Sequence, residues 1–217
     1  MKRPELVIVI TIFFSFATLT LQAQKTTHAT LYPSNRSPLV QQKYLPLPLG
    51  SIKPSGHLLR MLELQRDGLT GNLDSIYEVV CGPDNGWLGG TGDCWERGPY
   101  WIDGLVPLAY ILDDDKLKAK AQKWIEWAIV NQRPDGYFGP YPNNEGTPKI
   151  KGPQQTHSED WWPKMVMLKA MQQYYSATGD ERAITLMTNY FKYQLKTLPQ
   201  FPLNHWTWWG QQRGADN

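Results

Sequence analysis

Residues Trp101–Val130, WIDGLVPLAYILDDDKLKAKAQKWIEWAIV, hold the pattern from which the fold is read. After Asp103, Leu105, Leu108, Ala109 and Leu112 recur on one face and predict an amphipathic helix. Asp113-Asp114-Asp115 interrupts that stripe and supplies capping carboxylates for a second helix. The second helix carries Leu117, Ala121, Trp124, Ile125, Ala128 and Ile129 at i, i+4, i+7, i+8, i+11 and i+12, which assigns Trp124 and Ile129 to a core. The same grammar returns downstream. THSEDWWPK (Thr156–Lys164) leads into a helix with Met165, Leu168, Met171 and Tyr175 in register. Gly179 stops it, and Asp180 caps a partner that presents Ala183, Leu186, Met187, Tyr190 and Phe191. NHWTWWGQQRGADN (Asn204–Asn217) is a third run of aromatic and polar residues ahead of a helix start.

Neither amphipathic stripe can bury itself alone, which is the logic of helical repeats. The predicted fold is therefore all-α, a partial (α/α)6 toroid built of helix hairpins. In a ring of inner and outer helices, the loops before successive inner helices share one face. The segments 92–103, 157–163 and 205–213 are thereby grouped on one rim, joined by NQRPDGYFG (Asn131–Gly139). A plain array of helix hairpins without a cleft is the competing architecture.

Before the repeats, Met1-Lys2-Arg3, an apolar run from Leu6 to Leu21 and Gln22-Ala23-Gln24 read as a signal peptide over 1–23, with a retained anchor as the alternative. Cleavage would leave the protein periplasmic or secreted, with no stable membrane anchor. Residues 24–56, rich in Pro, Ser and Gln, read as an extended N-terminal arm. His57–Gly68 reads as a helix with a glycine stop, and the glycine-rich stretch 69–91 as a long loop. A net charge of +2 with scattered basic residues excludes a nucleic-acid footprint. Cys81 and Cys94 either close a short disulfide loop or are small buried apolar groups. With four scattered histidines they make no complete metal site within this chain.

Ten tryptophans and eleven tyrosines are unusual in 217 residues. Those off the apolar stripes are candidates for stacking on the C–H faces of sugars, with core packing as the alternative for each. On the rim these are Trp95, Tyr100, Trp101, Tyr137, Trp161, Trp162, Trp208 and Trp209. Arg97 and Arg213 are candidates for bidentate hydrogen bonds to substrate, although Arg97 also suits a clamp within its own loop. Asp135 fits turn stabilisation first and site contact second. Cleavage of a glycoside needs a proton donor and a second carboxylate. Glu96 and Asp160, each set among tryptophans, are the candidates for that chemistry and for substrate contact. A helix cap for Asp160 and an ion pair for Glu96 are the structural alternatives.

Four stretches in this order, PLPLGSIKPSGHLLRMLELQRDGLTG, WERGPYWIDGLVPLAYIL, NQRPDGYFGPY and MQQYYSATGD, resemble the N-terminal part of glycoside hydrolase family 127. The resemblance runs from Leu45 to Asn217. It implies an (α/α)6 catalytic domain and a β-L-arabinofuranosidase-like enzyme acting on an oligosaccharide or polysaccharide, such as plant-type side chains. On that likeness, residues 57–217 read as an incomplete (α/α)6 domain, a fragment expected to be inactive alone. A zinc site is implied for the full-length family enzyme, but neither Cys81 nor Cys94 matches its ligands. SEDWWPKMVM also departs from the family's HELY…GH stretch, placing Glu159 and Val166 where histidines stand, which leaves the sugar open. Another toroid enzyme, an unsaturated uronyl hydrolase or polysaccharide lyase, and a non-catalytic product of an interrupted gene are the alternative readings.

Overall fold

Residues 34–140 and 162–200 are described by the structure, a computed structural model. Within them the chain forms helices α1 (Gly56–Asp67), α2 (Leu69–Ile76), α3 (Glu78–Cys81), α4 (Arg97–Leu112), α5 (Asp115–Val130), α6 (Trp162–Thr178) and α7 (Glu181–Thr197), with one 3-10 turn at Gly86–Leu88. No strand occurs among the described residues, and the fold is all-α. The segments expected as a signal peptide, as the lead into the second repeat and as the opening of the third lie outside these residues. None of the described helices is long and apolar enough to cross a membrane.

Both hairpins close by the same chemistry. Asp113 ends α4 in the left-handed conformation (φ 58°), and the Asp114 carboxylate then accepts from the backbone N–H groups of Lys116 (2.9 Å) and Leu117 (3.0 Å). Gly179 takes the left-handed position after α6 (φ 72°), and Asp180 accepts from Arg182 N–H at 3.0 Å. In each turn one residue satisfies the end of a helix and the next the start of its partner.

α4 and α6 make the most extensive helix contact, whereas α5 and α7 touch little. Hairpins fan in this way when α4 and α6 form an inner row and α5 and α7 an outer one. The inner helices run parallel: Asp103 meets Lys169 near their midpoints, and Tyr110 meets Tyr174 near their ends. Between the rows lie Ile102, Leu105, Val106 and Ala109 of α4, Trp124 and Ile125 of α5, Met167, Ala170 and Met171 of α6, and Leu186 and Tyr190 of α7. All are close to fully buried.

Three expectations need correction. The first inner helix starts at Arg97, six residues before the end of the expected loop. Gly98-Pro99 reads as a break, yet proline is compatible with a helix's first turn, where its missing N–H has no intrahelical role. The stretch 69–91 is not one long loop, since it holds α2, α3 and the 3-10 turn. Helices of eight and four residues are too short for a periodic stripe to register. The disulfide alternative also falls, because Cys81 and Cys94 are not joined by a disulfide, and Cys81 is buried.

Residues 34–55 hold no helix or strand. They cross the C-terminal ends of the inner helices. Leu49 N–H donates to Ser176 Oγ at 3.0 Å, and Lys53 Nζ donates to the carbonyls of Tyr110 (3.0 Å) and Ile111 (3.1 Å). A lysine there also complements the negative end of the helix dipole. The arm thus occupies one end of the inner row and leaves the N-terminal end to other segments.

Candidate functional site

Because α4 and α6 are parallel, their N-terminal ends lie on the same side of the described framework. Trp87, fully buried, organises that end. Its backbone N–H is held by the Asn85 side chain at 2.7 Å, and its indole N–H donates to the Trp95 carbonyl at 2.9 Å. Its ring meets Phe138 edge-on at 6.0 Å, and Phe138 meets Tyr190 at 4.9 Å. Gly139 (φ 90°) lies so close that a Cβ would come within 2.7 Å of the Trp87 ring. The loop after α5 is thereby seated on the loop before α4.

Lys164, in the first turn of α6, is only 3% exposed. Its ammonium donates to the Tyr137 hydroxyl at 2.8 Å and lies 4.6 Å from the Tyr137 ring centre and 6.0 Å from that of Trp87. Tyr137 in turn donates to the Pro140 carbonyl at 2.8 Å. A buried ammonium is tolerated where hydroxyl and aromatic faces replace water. Lys164 therefore ties the second inner helix to both preceding loops.

The carboxylates divide by environment. Asp93 is 2% exposed and ion-paired with Arg97, whose Nε donates at 3.1 Å; Arg97 also donates to the Tyr77 hydroxyl at 3.3 Å. Arg97 is thus a clamp that closes its own loop, the structural alternative weighed for it. Glu96 occupies the N-cap position of α4 without a capping side-chain bond and is half-buried. Asp103 sits between the inner helices, paired with Lys169 at 2.8 Å. Asp135 stabilises its turn: it accepts from Tyr137 N–H at 3.1 Å and pairs with Arg133.

The rim aromatics sort in the same way. Tyr100 is 47% exposed on α4. Trp95, Trp101 and Tyr137 are buried, at 2%, 6% and 1%, which corrects their expected placement on an open rim. Trp101 belongs to the helix stripe: its ring meets Trp124 at 5.7 Å, and its N–H donates to the Thr70 carbonyl at 2.8 Å. Tyr137 is covered because its loop folds over Trp87 and Lys164 instead of projecting. Asp160, Trp161, Trp208, Trp209, Arg213 and the Trp162 side chain lie outside the described residues. Trp87 and Lys164 were not singled out from the sequence. Of these only Lys164 carried a cue, a charge one residue after the expected helix start.

Residues 65–206 match the family model described as the β-L-arabinofuranosidase, GH127 catalytic domain. The chain belongs to this family. The GH127 family is built on an (α/α)6 toroid, so its membership gives the inner and outer rows seen here their place in a ring. That membership makes the protein a glycoside hydrolase by family and implies a carbohydrate substrate. No curated protein and no solved structure matches the chain.

The zinc implied for full-length GH127 enzymes finds no fit among the described residues. No three His, Cys, Asp or Glu side chains converge there as metal ligands. The Cys81 thiol, pushed up to about 12 mainly by burial and further by the Asp93 carboxylate, is held protonated. No step below runs through a metal.

Proposed function

We propose that this chain belongs to an exported glycosidase that removes L-arabinofuranose-type residues from plant-type polysaccharide or glycan side chains. The observation that carries the reading is the GH127 match over residues 65–206, on a framework whose inner helices run parallel with their N-termini on the same side. At that end stand Glu96 and the exposed ring of Tyr100. Asp160 precedes the second inner helix by two positions in sequence. Glu96 and Asp160 are the pair assigned to proton donation and to charge stabilisation at the anomeric carbon, the two tasks that glycoside cleavage requires. The apolar Leu6–Leu21 run behind a basic start supports export, with cleavage after Ala23.

The test is release of L-arabinose from a panel of β-L-arabinofuranosides by the protein expressed from its complete gene. Activity on the panel that drops at least a hundredfold in Glu96→Gln or Asp160→Asn supports the assignment. Activity confined to unsaturated uronides, or an ultraviolet-absorbing elimination product, would replace it with the uronyl hydrolase or lyase reading.

A further inference from the structure

Between Gly98 and Ala109, four residues of α4 escape burial: Tyr100, Asp103, Gly104 and Pro107, at i, i+3, i+4 and i+7. The residues between them, Trp101, Ile102, Leu105 and Val106, are all buried, so the four form one continuous stripe on the side turned from the core. Lys169 of α6 reaches the same stripe, 61% exposed, through its ion pair with Asp103.

Asp103 has more acceptor capacity than its neighbours use. One carboxylate oxygen takes the Lys169 ammonium at 2.8 Å, while Oδ1 is buried and has no hydrogen-bond partner among the described residues. A buried carboxylate oxygen without a donor is costly. The backbone adds a second acceptor at the same place. Pro107 lies inside α4 and has no N–H, so the Asp103 carbonyl is deprived of its i+4 helix bond. Gly104 beside it is open, with only the Thr70 methyl within 4 Å of a built Cβ. Tyr100, one turn toward the N-terminal end, shows a half-exposed ring.

We propose that Asp103, its backbone carbonyl, Lys169 and Tyr100 form a subsite for a neutral sugar on the inward wall of the ring. The inference rests on the glycosidase reading above and adds a selectivity to it. Sugar hydroxyls donate to Asp103 Oδ1 and to the freed carbonyl, and Lys169 donates to a hydroxyl or ring oxygen. Tyr100 presents its face to sugar C–H groups. The carboxylate and ammonium already neutralise each other, so an anionic uronate gains nothing from the pair, whereas hydroxyls, which both donate and accept, fit it.

The test measures dissociation constants by calorimetry for methyl β-L-arabinofuranoside and for galacturonate, with the protein expressed from its complete gene. The expected results are preference for the neutral glycoside and about tenfold weaker binding of it by Asp103→Asn, the loss of one charge-assisted hydrogen bond. Asp103→Asn also leaves Lys169 unpaired and shifts preference toward galacturonate, which a purely structural role would not do. Pro107→Ala restores the helix bond to the Asp103 carbonyl; it raises the unfolding midpoint and still weakens binding severalfold. Unchanged affinity in Asp103→Asn and Pro107→Ala, with the wild type still binding, overturns the subsite and leaves the glycosidase reading standing. A wild type that prefers galacturonate overturns the subsite's selectivity. One that neither binds nor cleaves any arabinofuranoside overturns both readings.

Discussion

Tyr100 and Trp101 are neighbours in sequence with opposite fates. Tyr100 lies on the uncovered stripe of α4, while Trp101 continues the buried one through Leu105 and Leu108 at i+4 and i+7. Trp101→Ala removes a ring packed on Trp124 and a hydrogen bond to Thr70, and is expected to cost about 3–5 kcal/mol in urea unfolding. Tyr100→Ala is expected to cost under about 1 kcal/mol and to act on sugar binding instead. Equal losses in the two variants would mean that the stripes are misassigned. The burial of Trp101 was missed, although its spacing to Leu105 and Leu108 is helical, because the helix was read as starting only after Asp103. That of Trp95 and Trp87 was not legible, since neither continues a periodic stripe. Cys81 gives a second check at this scale. Burial pushes its thiol up to about 12, so at pH 8 it is almost wholly protonated and enclosed. Maleimide is expected to leave Cys81 unmodified in the folded protein and to label it on unfolding, read by peptide mass; fast labelling of the native protein would contradict its placement.

At the scale of elements, the two hairpins show how far capping chemistry carries. Gly179-Asp180 and Asp113-Asp114 were legible as turns because each supplies a left-handed position and then a capping carboxylate. The arm was not legible in detail. Its attachments through Leu49 and Lys53 reach residues 127 and 57 positions away, and no local pattern encodes such contacts. Asp180 also makes a prediction about acid. Its carboxyl is held below its ordinary value of 3.8 by the hydrogen bond from Arg182, against the opposing effect of burial, with further help from Arg182 N–H and charge. A depressed carboxylate stabilises the fold fully above the unfolded-state value and loses that contribution as pH falls through the folded one. Asp180→Asn keeps a capping oxygen but not the charge, so its stability should fall less steeply than wild type on acidification below about pH 4. Asp180→Ala should cost about 1 kcal/mol at neutral pH through the lost cap. The Arg182–Glu126 pair between α7 and α5 is 50% and 41% exposed, so its removal should matter less than the cap. Parallel acid limbs for wild type and Asp180→Asn in chemical denaturation would rule out this role.

For the whole molecule, direction is what the sequence encodes best. With α5 as the return helix between them, α4 and α6 run the same way, and the structure shows them parallel at both levels where they touch. That direction was legible, while the packed cap of Trp87, Phe138, Tyr137 and Lys164 was not. That cap depends on contacts between residues 27 to 77 positions apart. The same architecture sets a gradient of stability. α4 and α6 share the largest interface and bury Ile102, Leu105, Val106, Ala109, Met167, Ala170 and Met171 almost completely. α1 buries no residue, and its Leu58, Met61 and Leu64 remain 66%, 45% and 50% exposed. Local opening is governed by the apolar contacts an element must break. Amide hydrogen exchange should therefore be slowest in the central turns of α4 and α6, opening only with global unfolding, and fastest by orders of magnitude in α1. The outer helices should fall between, with the Asp114 and Asp180 turns protecting their first N–H groups. Protection in α1 equal to that in α4 would show that α1 is held by contacts equivalent to those of the inner row, and the assignment of the α4–α6 interface as the centre of the fold would have to be abandoned.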